Sequence, residues 1–206
     1  MLTTDKKSAL YTLTHGDGAP VILLHGMAAS NRHWQLLLHE LALNGFQGFA
    51  PDLPGHGDSP KPDDPTHYTA REIYAVFERW LEGLAIDRPV HLVGHSLGGF
   101  LSLLFACNHP ERTASLVLID PFISQDQLPF TVRLINKFPG FVGRVLHRAP
   151  SWIVHLVFDL DVSEARHFSS QVRYEIAGDY LRASPNFVYL GSTIWDLTPM
   201  LPQIQT

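Results

Sequence analysis

Five consecutive residues, Gly94-His95-Ser96-Leu97-Gly98, place a serine between two glycines at G-x-S-x-G spacing. A serine hydroxyl is a weak nucleophile unless a base takes its proton and its surroundings stabilise the charge that attack on a carbonyl creates. This spacing supplies such surroundings when an apolar strand ends at the first glycine and a helix begins just after the serine. The turn is then sharp enough to strain the serine backbone, and the glycines leave room for it. The hydroxyl stands at the carboxyl edge of a sheet, beside a helix N-terminus whose free N–H groups favour negative charge. A dinucleotide-binding fingerprint fails here, because Ser96 occupies the position of its second glycine. No phosphate-cradling G-K-[ST] occurs anywhere.

The flanking residues predict the required elements. Residues 90–94 form an apolar strand, and a helix follows to about Asn108, ended by Pro110. Residues 20–25 are a continuous apolar run ending at Gly26, as expected of a strand buried on both faces. Asn31 to Asn44 predicts a helix with Trp34, Leu37, Leu38 and Leu41 on one face, stopped by Gly45. A strand at 46–50 leads into the loop Asp52-Leu-Pro-Gly-His-Gly-Asp-Ser59. Thr69 and Glu72 form a capping box before a helix carrying Ile73, Val76, Phe77, Trp80, Leu81 and Leu84. Ser115 to Asp120 is a further buried strand. Strands alternating with helices imply an α/β fold, a doubly wound, mostly parallel sheet occupying residues 1–120.

From Pro121 the pattern changes. Pro129, Pro139 and Pro150 cut the chain into short helical pieces. A longer helix is predicted from Ser163 to Arg182 with Phe168, Val172, Ile176 and Tyr180 on one face, and another after Pro185. Residues 121–200 thus form a helical insertion without strand signals.

The totals set outer limits. The chain has 206 residues, 45% hydrophobic and 17% charged, which excludes a disordered chain and favours one domain with a sizeable core. A net charge of −5 gives no support to a nucleic-acid partner. The single cysteine, Cys107, permits no intrachain disulfide and fits a reducing compartment. It lies on the helix after Ser96 and reads as a small hydrophobe. No apolar run reaches spanning length and the N-terminus lacks a signal-peptide core, so a soluble, cytoplasmic protein is expected. No metal or cofactor is expected, since His-Glu-x-x-His is absent and residues 159–163 lack the glycine and distal glutamate of a calcium loop. Residues 127–158 carry Arg133, Lys137, Arg144 and Arg148 and no acid. Such a stretch suits a solvated face, and also weak contact with a membrane surface or an anionic substrate.

With these motifs in order, the chain resembles the α/β-hydrolase family in its capped subgroup. The resemblance rests on Leu24-His-Gly-Met-Ala-Ala-Ser30, the 52–59 loop, Val93-Gly-His-Ser-Leu-Gly-Gly99 and Val117-Leu-Ile-Asp-Pro121, and covers nearly the whole chain. It implies that Ser96 is the nucleophile and that the backbone N–H groups of Met27 and Leu97 form the oxyanion hole. It also makes 121–200 a cap over the serine, with apolar side chains for a pocket, and leaves the 52–59 loop a structural role. In this family the acid and histidine follow the cap, each after a further strand. The chain stops at Thr206, where the next strand is expected, so it looks truncated, with 201–206 as the start of the missing core. The strand at 115–120 would then be an exposed apolar edge.

Substitutes for the missing groups are few. Asp120 stands where some relatives place their acid, although a turn-forming Asp-Pro is the preferred explanation. Among the histidines, His95 should turn away from the serine hydroxyl, and His25 is usually structural in this motif. His56 lies on a loop, and His147, His155 and His167 lie in the cap. None has the position of a triad base. The expected function is a serine hydrolase that cleaves a small apolar carboxylic ester, or a related carbonyl substrate, through an acyl-enzyme. Carbon–carbon bond hydrolysis, lactone hydrolysis and cofactor-free peroxidation are alternatives on the same motifs. A non-catalytic ligand-binding or interaction protein is the alternative from another class.

Overall fold

The apolar runs become strands of one mixed sheet, and the helical repeats pack on its two faces. The computed structural model of the chain describes residues 3–4, 10–127, 133, 137–150, 152 and 169–204. Its strands are β1 (Thr3–Thr4), β2 (Thr12–His15), β3 (Ala19–Leu24), β4 (Phe46–Pro51), β5 (Val90–His95) and β6 (Thr113–Ile119). They lie in the order β1-β2-β4-β3-β5-β6. The pairs β4–β3, β3–β5 and β5–β6 are parallel, whereas β1–β2 and β2–β4 are antiparallel. The expected doubly wound, mostly parallel core is therefore present.

Parallel neighbours need a crossover, and each one here is a helix. These are α1 (Gln35–Leu43), α2 (Ala70–Gly83) and α3 (Leu97–Asn108). Side chains along β3 alternate between two cores, which explains its unbroken apolar sequence. Ile22 and Leu24 meet Phe77, Phe100 and Phe105 of α2 and α3, while Val21 and Leu23 meet Trp34 and Leu38 on the α1 side. Full burial of each such Leu or Phe contributes about 1.5–3 kcal/mol. Leu24 pairs in register with Gly94, and Gly94 with Leu118. The carboxyl ends of β3, β5 and β6 are thereby level along one edge.

Several expectations need adjusting. β2 carries no strong strand signal, because two threonines and a histidine surround its one aliphatic residue. It is held by pairing with β4, and Thr12 Oγ1 accepts a hydrogen bond from Trp80 Nε1 at 3.0 Å. The helix expected over 31–44 splits into a 3₁₀ turn, Asn31–Trp34, and α1. The Ser30 side chain caps that turn by accepting from the Arg32 N–H. The capping residue Thr69 does accept from the Glu72 N–H, at 3.3 Å.

After β6 the described residues form α4 (Pro139–Arg148), α5 (Ser170–Arg182) and α6 (Val188–Thr193) with intervening 3₁₀ turns and no strand. Residues 163–168 of the long helix predicted there, including Phe168, lie outside the described residues. In α5 the buried positions are Ala177 and Asp179, whereas Val172 on the predicted apolar face is exposed. Polar partners on the sheet domain, described below, draw the Asp179 carboxylate inward. Val117 and Ile119 of β6 are 50% and 44% exposed, as expected of an apolar outer strand. Among the described residues no helix is long and apolar enough to cross a membrane.

Candidate active site at the carboxyl edge of the sheet

Ser96 joins β5 to α3 in a conformation that an L-residue seldom adopts, φ 50° and ψ −109°. Three surrounding features require it. Gly94 lies so close to the Gly98 carbonyl, and Gly98 to the Leu24 carbonyl, that a Cβ on either would collide with backbone. The Ser96 N–H donates to the Ile119 carbonyl at 3.0 Å. Its own carbonyl accepts from the N–H groups of Phe100 and Phe122, both at 3.0 Å. Ala28 and Asp120, which follow β3 and β6, also have positive φ, 57° and 43°. Three of the four non-glycine residues with positive φ among the described residues thus lie just past these strand ends, the fourth being Ala85 ahead of β5.

Gly26 brings the end of β3 against the serine. A Cβ built on it would stand 3.3 Å from Ser96 Cβ and 2.8 Å from His95 Nδ1. Met27 follows on an exposed turn, and Leu97 opens α3. Among the described residues nothing accepts a hydrogen bond from the N–H of either. A first-turn helix N–H has no intrahelical acceptor, so Leu97 is a donor waiting for an external oxygen. The Ser96 hydroxyl likewise has no hydrogen-bond partner among the described residues. This arrangement can present a hydroxyl to a carbonyl and stabilise an anionic oxygen beside it.

The histidines divide by burial. Leu53 N–H donates to His25 Nε2 at 2.9 Å, so that nitrogen carries no proton and Nδ1–H donates to the Gly26 carbonyl at 2.7 Å. Burial holds His25 at a pKa of about 4 and His56 at about 3. Both are neutral struts. His95 lies against Gly26, and its pKa is lowered by burial and then by His33, with Asp120 opposing. Asp120 is exposed at the end of β6 and makes no hydrogen bond among the described residues. Among the described residues neither Asp120 nor His95 is hydrogen-bonded to the serine hydroxyl. The side chain of His147, and all of His155 and His167, lie outside the described residues.

The 52–59 loop is tied to the turn after β3 and to itself through Asp52. Asp52 accepts from the Asn31 and Asp58 N–H groups, each at 2.7 Å. Burial raises its pKa, and these two hydrogen bonds oppose the rise. Cys107 sits half-buried with its thiol 3.6 Å from the Met200 carbonyl, and burial raises its pKa.

One cluster has no counterpart in the sequence reading. Asp179 of α5 is only 4% exposed. Ser30 Oγ donates to Asp179 Oδ2 at 2.7 Å, and His33 Nε2 lies 3.4 Å from the same oxygen. Arg182 reaches Asp179 at 3.6 Å and Asp58 at 2.5 Å. Burial pushes the Asp179 pKa up, but hydrogen bonds from His33 and Ser30, with the charge of Arg32, leave it below the ordinary value. Ser184 N–H also donates to the Gly55 carbonyl at 2.7 Å. The helical segment after β6 is thus pinned to the loops that follow β3 and β4. Nothing in local sequence marks Asp179, whose partner Ser30 is 149 residues away.

A family model described as alpha/beta hydrolase fold matches residues 19–148. Epoxide hydrolase 3 of Siraitia grosvenorii is 38% identical over 102 residues, which is 50% of this chain and 32% of that protein. Haloalkane dehalogenase of Agrobacterium fabrum is 32% identical over 135 residues, 66% of this chain and 41% of that one. The chain therefore matches less than half the length of these curated relatives. The solved structure of a thermophilic esterase from Thermogutta terrifontis superposes with a TM-score of 0.76 at 20% identity, covering 100% of this chain and 77% of that one.

Proposed function

Because the chain belongs to the α/β-hydrolase fold family, we propose that it is the Ser96-bearing part of a hydrolase for small apolar carboxylic esters. The strained Ser96 turn between Met27 and Leu97 carries this reading. Ser96 Oγ attacks the ester carbonyl carbon, and the carbonyl π electrons move onto oxygen. The N–H groups of Met27 and Leu97 take up that oxyanion, each worth about 10²–10³ in rate. Collapse expels the alcohol, and water then attacks the acyl-enzyme to release the acid. The Ser96 proton must pass to a base, and none of the described side chains bonds to Ser96 Oγ in that role. The helical segment 121–200 acts as a cap, anchored through Asp179 and Arg182. Its apolar side chains favour an uncharged acyl group.

The test is a p-nitrophenyl ester series run together with a fluorophosphonate probe. We expect ester turnover and a single labelled residue, Ser96, with both lost in Ser96→Ala. A Ser96→Ala protein that turns over esters at the wild-type rate contradicts the proposal. Carbon–carbon, lactone and peroxidation substrates tested in parallel separate the related chemistries. That no described side chain is bonded to the Ser96 hydroxyl favours a second reading, a ligand-binding or interaction protein that keeps the hydrolase scaffold. A folded wild type that binds an ester without turnover or labelling supports that reading instead.

A further inference from the structure

We propose that α4 is a docking element for an anionic lipid surface. The helix packs by one side against α6 and the 185–187 turn, and Gly140 lies under the Tyr189 hydroxyl. Along the helix run exposed apolar side chains. Phe138, just ahead of the helix, is 64% exposed, Phe141 66% and Val145 51%. At helical spacing these three fall within about 60° of arc, so they form one stripe rather than scattered surface residues. Trp152, beyond the helix, is also 65% exposed.

The charge around the stripe identifies the occupant. Lys137 and Arg148 are exposed at its two ends, and neither is in an ion pair among the described residues. Arg133 is engaged with Asp126 at 3.0 Å and is left out of the count. Besides Arg133, residues 127–158 carry Lys137, Arg144 and Arg148 and no acid, within a chain of net charge −5. On a chain of net negative charge, an anionic leaflet repels most of the surface and attracts this cationic, aromatic face, so it selects the orientation in which the stripe meets the lipid. Aromatic rings and aliphatic groups enter the headgroup boundary while the cations remain at phosphate level. The inference goes beyond ester hydrolysis and does not depend on Ser96 chemistry.

Sedimentation of the purified protein with vesicles tests it. One set is phosphatidylcholine alone, and the other contains about one-third phosphatidylglycerol, which supplies the anionic surface. Each cation near such a surface is worth about fivefold in partitioning. The double variant Lys137→Ala, Arg148→Ala is therefore expected to bind the anionic vesicles about 30-fold less tightly. Phe141→Asp should weaken binding too, with an unchanged far-UV circular dichroism spectrum. Because these side chains are exposed, the substitutions leave the packing intact. The proposal is overturned by equal binding to both vesicle types or by no binding to either. Wild-type affinity in the cation variant also overturns it, as does salt-sensitive binding to polyglutamate without vesicle binding.

Discussion

The conformation of Ser96 makes a prediction that needs no substrate. At φ 50° and ψ −109° the residue occupies a region open to glycine and costly for any side chain. Such strain amounts to about 1–3 kcal/mol. Ser96→Ala removes the hydroxyl and keeps the strain, while Ser96→Gly removes both, so comparing the two variants isolates the backbone. Glycine's extra freedom in the unfolded chain takes back about 0.4–1 kcal/mol. The net expectation is that the glycine variant is more stable by about 0.5–2 kcal/mol. For a domain of this size, at about 2–4 °C per kcal/mol, its melting temperature should exceed that of the alanine variant by about 1–8 °C. Differential scanning fluorimetry and urea unfolding with equal m-values measure the difference. A glycine variant melting at or below the alanine variant refutes the argument that the fold forces strain on this residue.

Acid should weaken the fold through His25 and His56. Their folded pKa values, about 4 and about 3, lie below the ordinary 6.5. Below pH 6.5 the unfolded chain therefore binds protons that the native state refuses, and stability falls toward pH 4 by up to about 1.4 kcal/mol per unit for each histidine. Urea midpoints at several pH values across that range check this, and a flat profile contradicts it. Asp179→Ala should cost about 2–3 kcal/mol by cutting the bonds to Ser30 and His33. The partially exposed His33 and Arg182 keep this below the cost of breaking a fully buried ion pair. Its melting temperature should fall by about 4–12 °C, and a shift within 1 °C of wild type, roughly measurement error, counts against the anchor.

Which features were legible follows from how local their causes are. The strand–turn–helix at Ser96 is written in adjacent residues, because Gly94, Gly98 and the apolar run before them act within one turn of chain. β3 was equally readable, since a strand between two cores needs apolar residues at every position. β2 was not, because its stability comes from pairing with β4 and from Trp80 rather than from its own side chains. In α5 the predicted apolar face holds at Tyr180, which packs on Phe187, and fails at Val172, which is exposed, for a related reason. Burial there follows Asp179, whose partners Ser30 and His33 lie at the far end of the chain. Long-range polar satisfaction leaves no periodic trace in a sequence.

The hydrogen bond from Ser96 N–H to Ile119 has a mechanical consequence. β6 is the outermost strand of the described sheet, and outer strands open at far lower cost than a whole domain unfolds. Each time β6 peels from β5, Ser96 loses this tether and Leu116 and Leu118 leave the core on the α2–α3 side, while the core on the α1 side stays packed. On warming, function should fade before helix content does, as a zip opening from its end releases the first tooth early. Anything that clasps β6, be it another strand or another molecule, would raise the temperature of inactivation without touching the substrate.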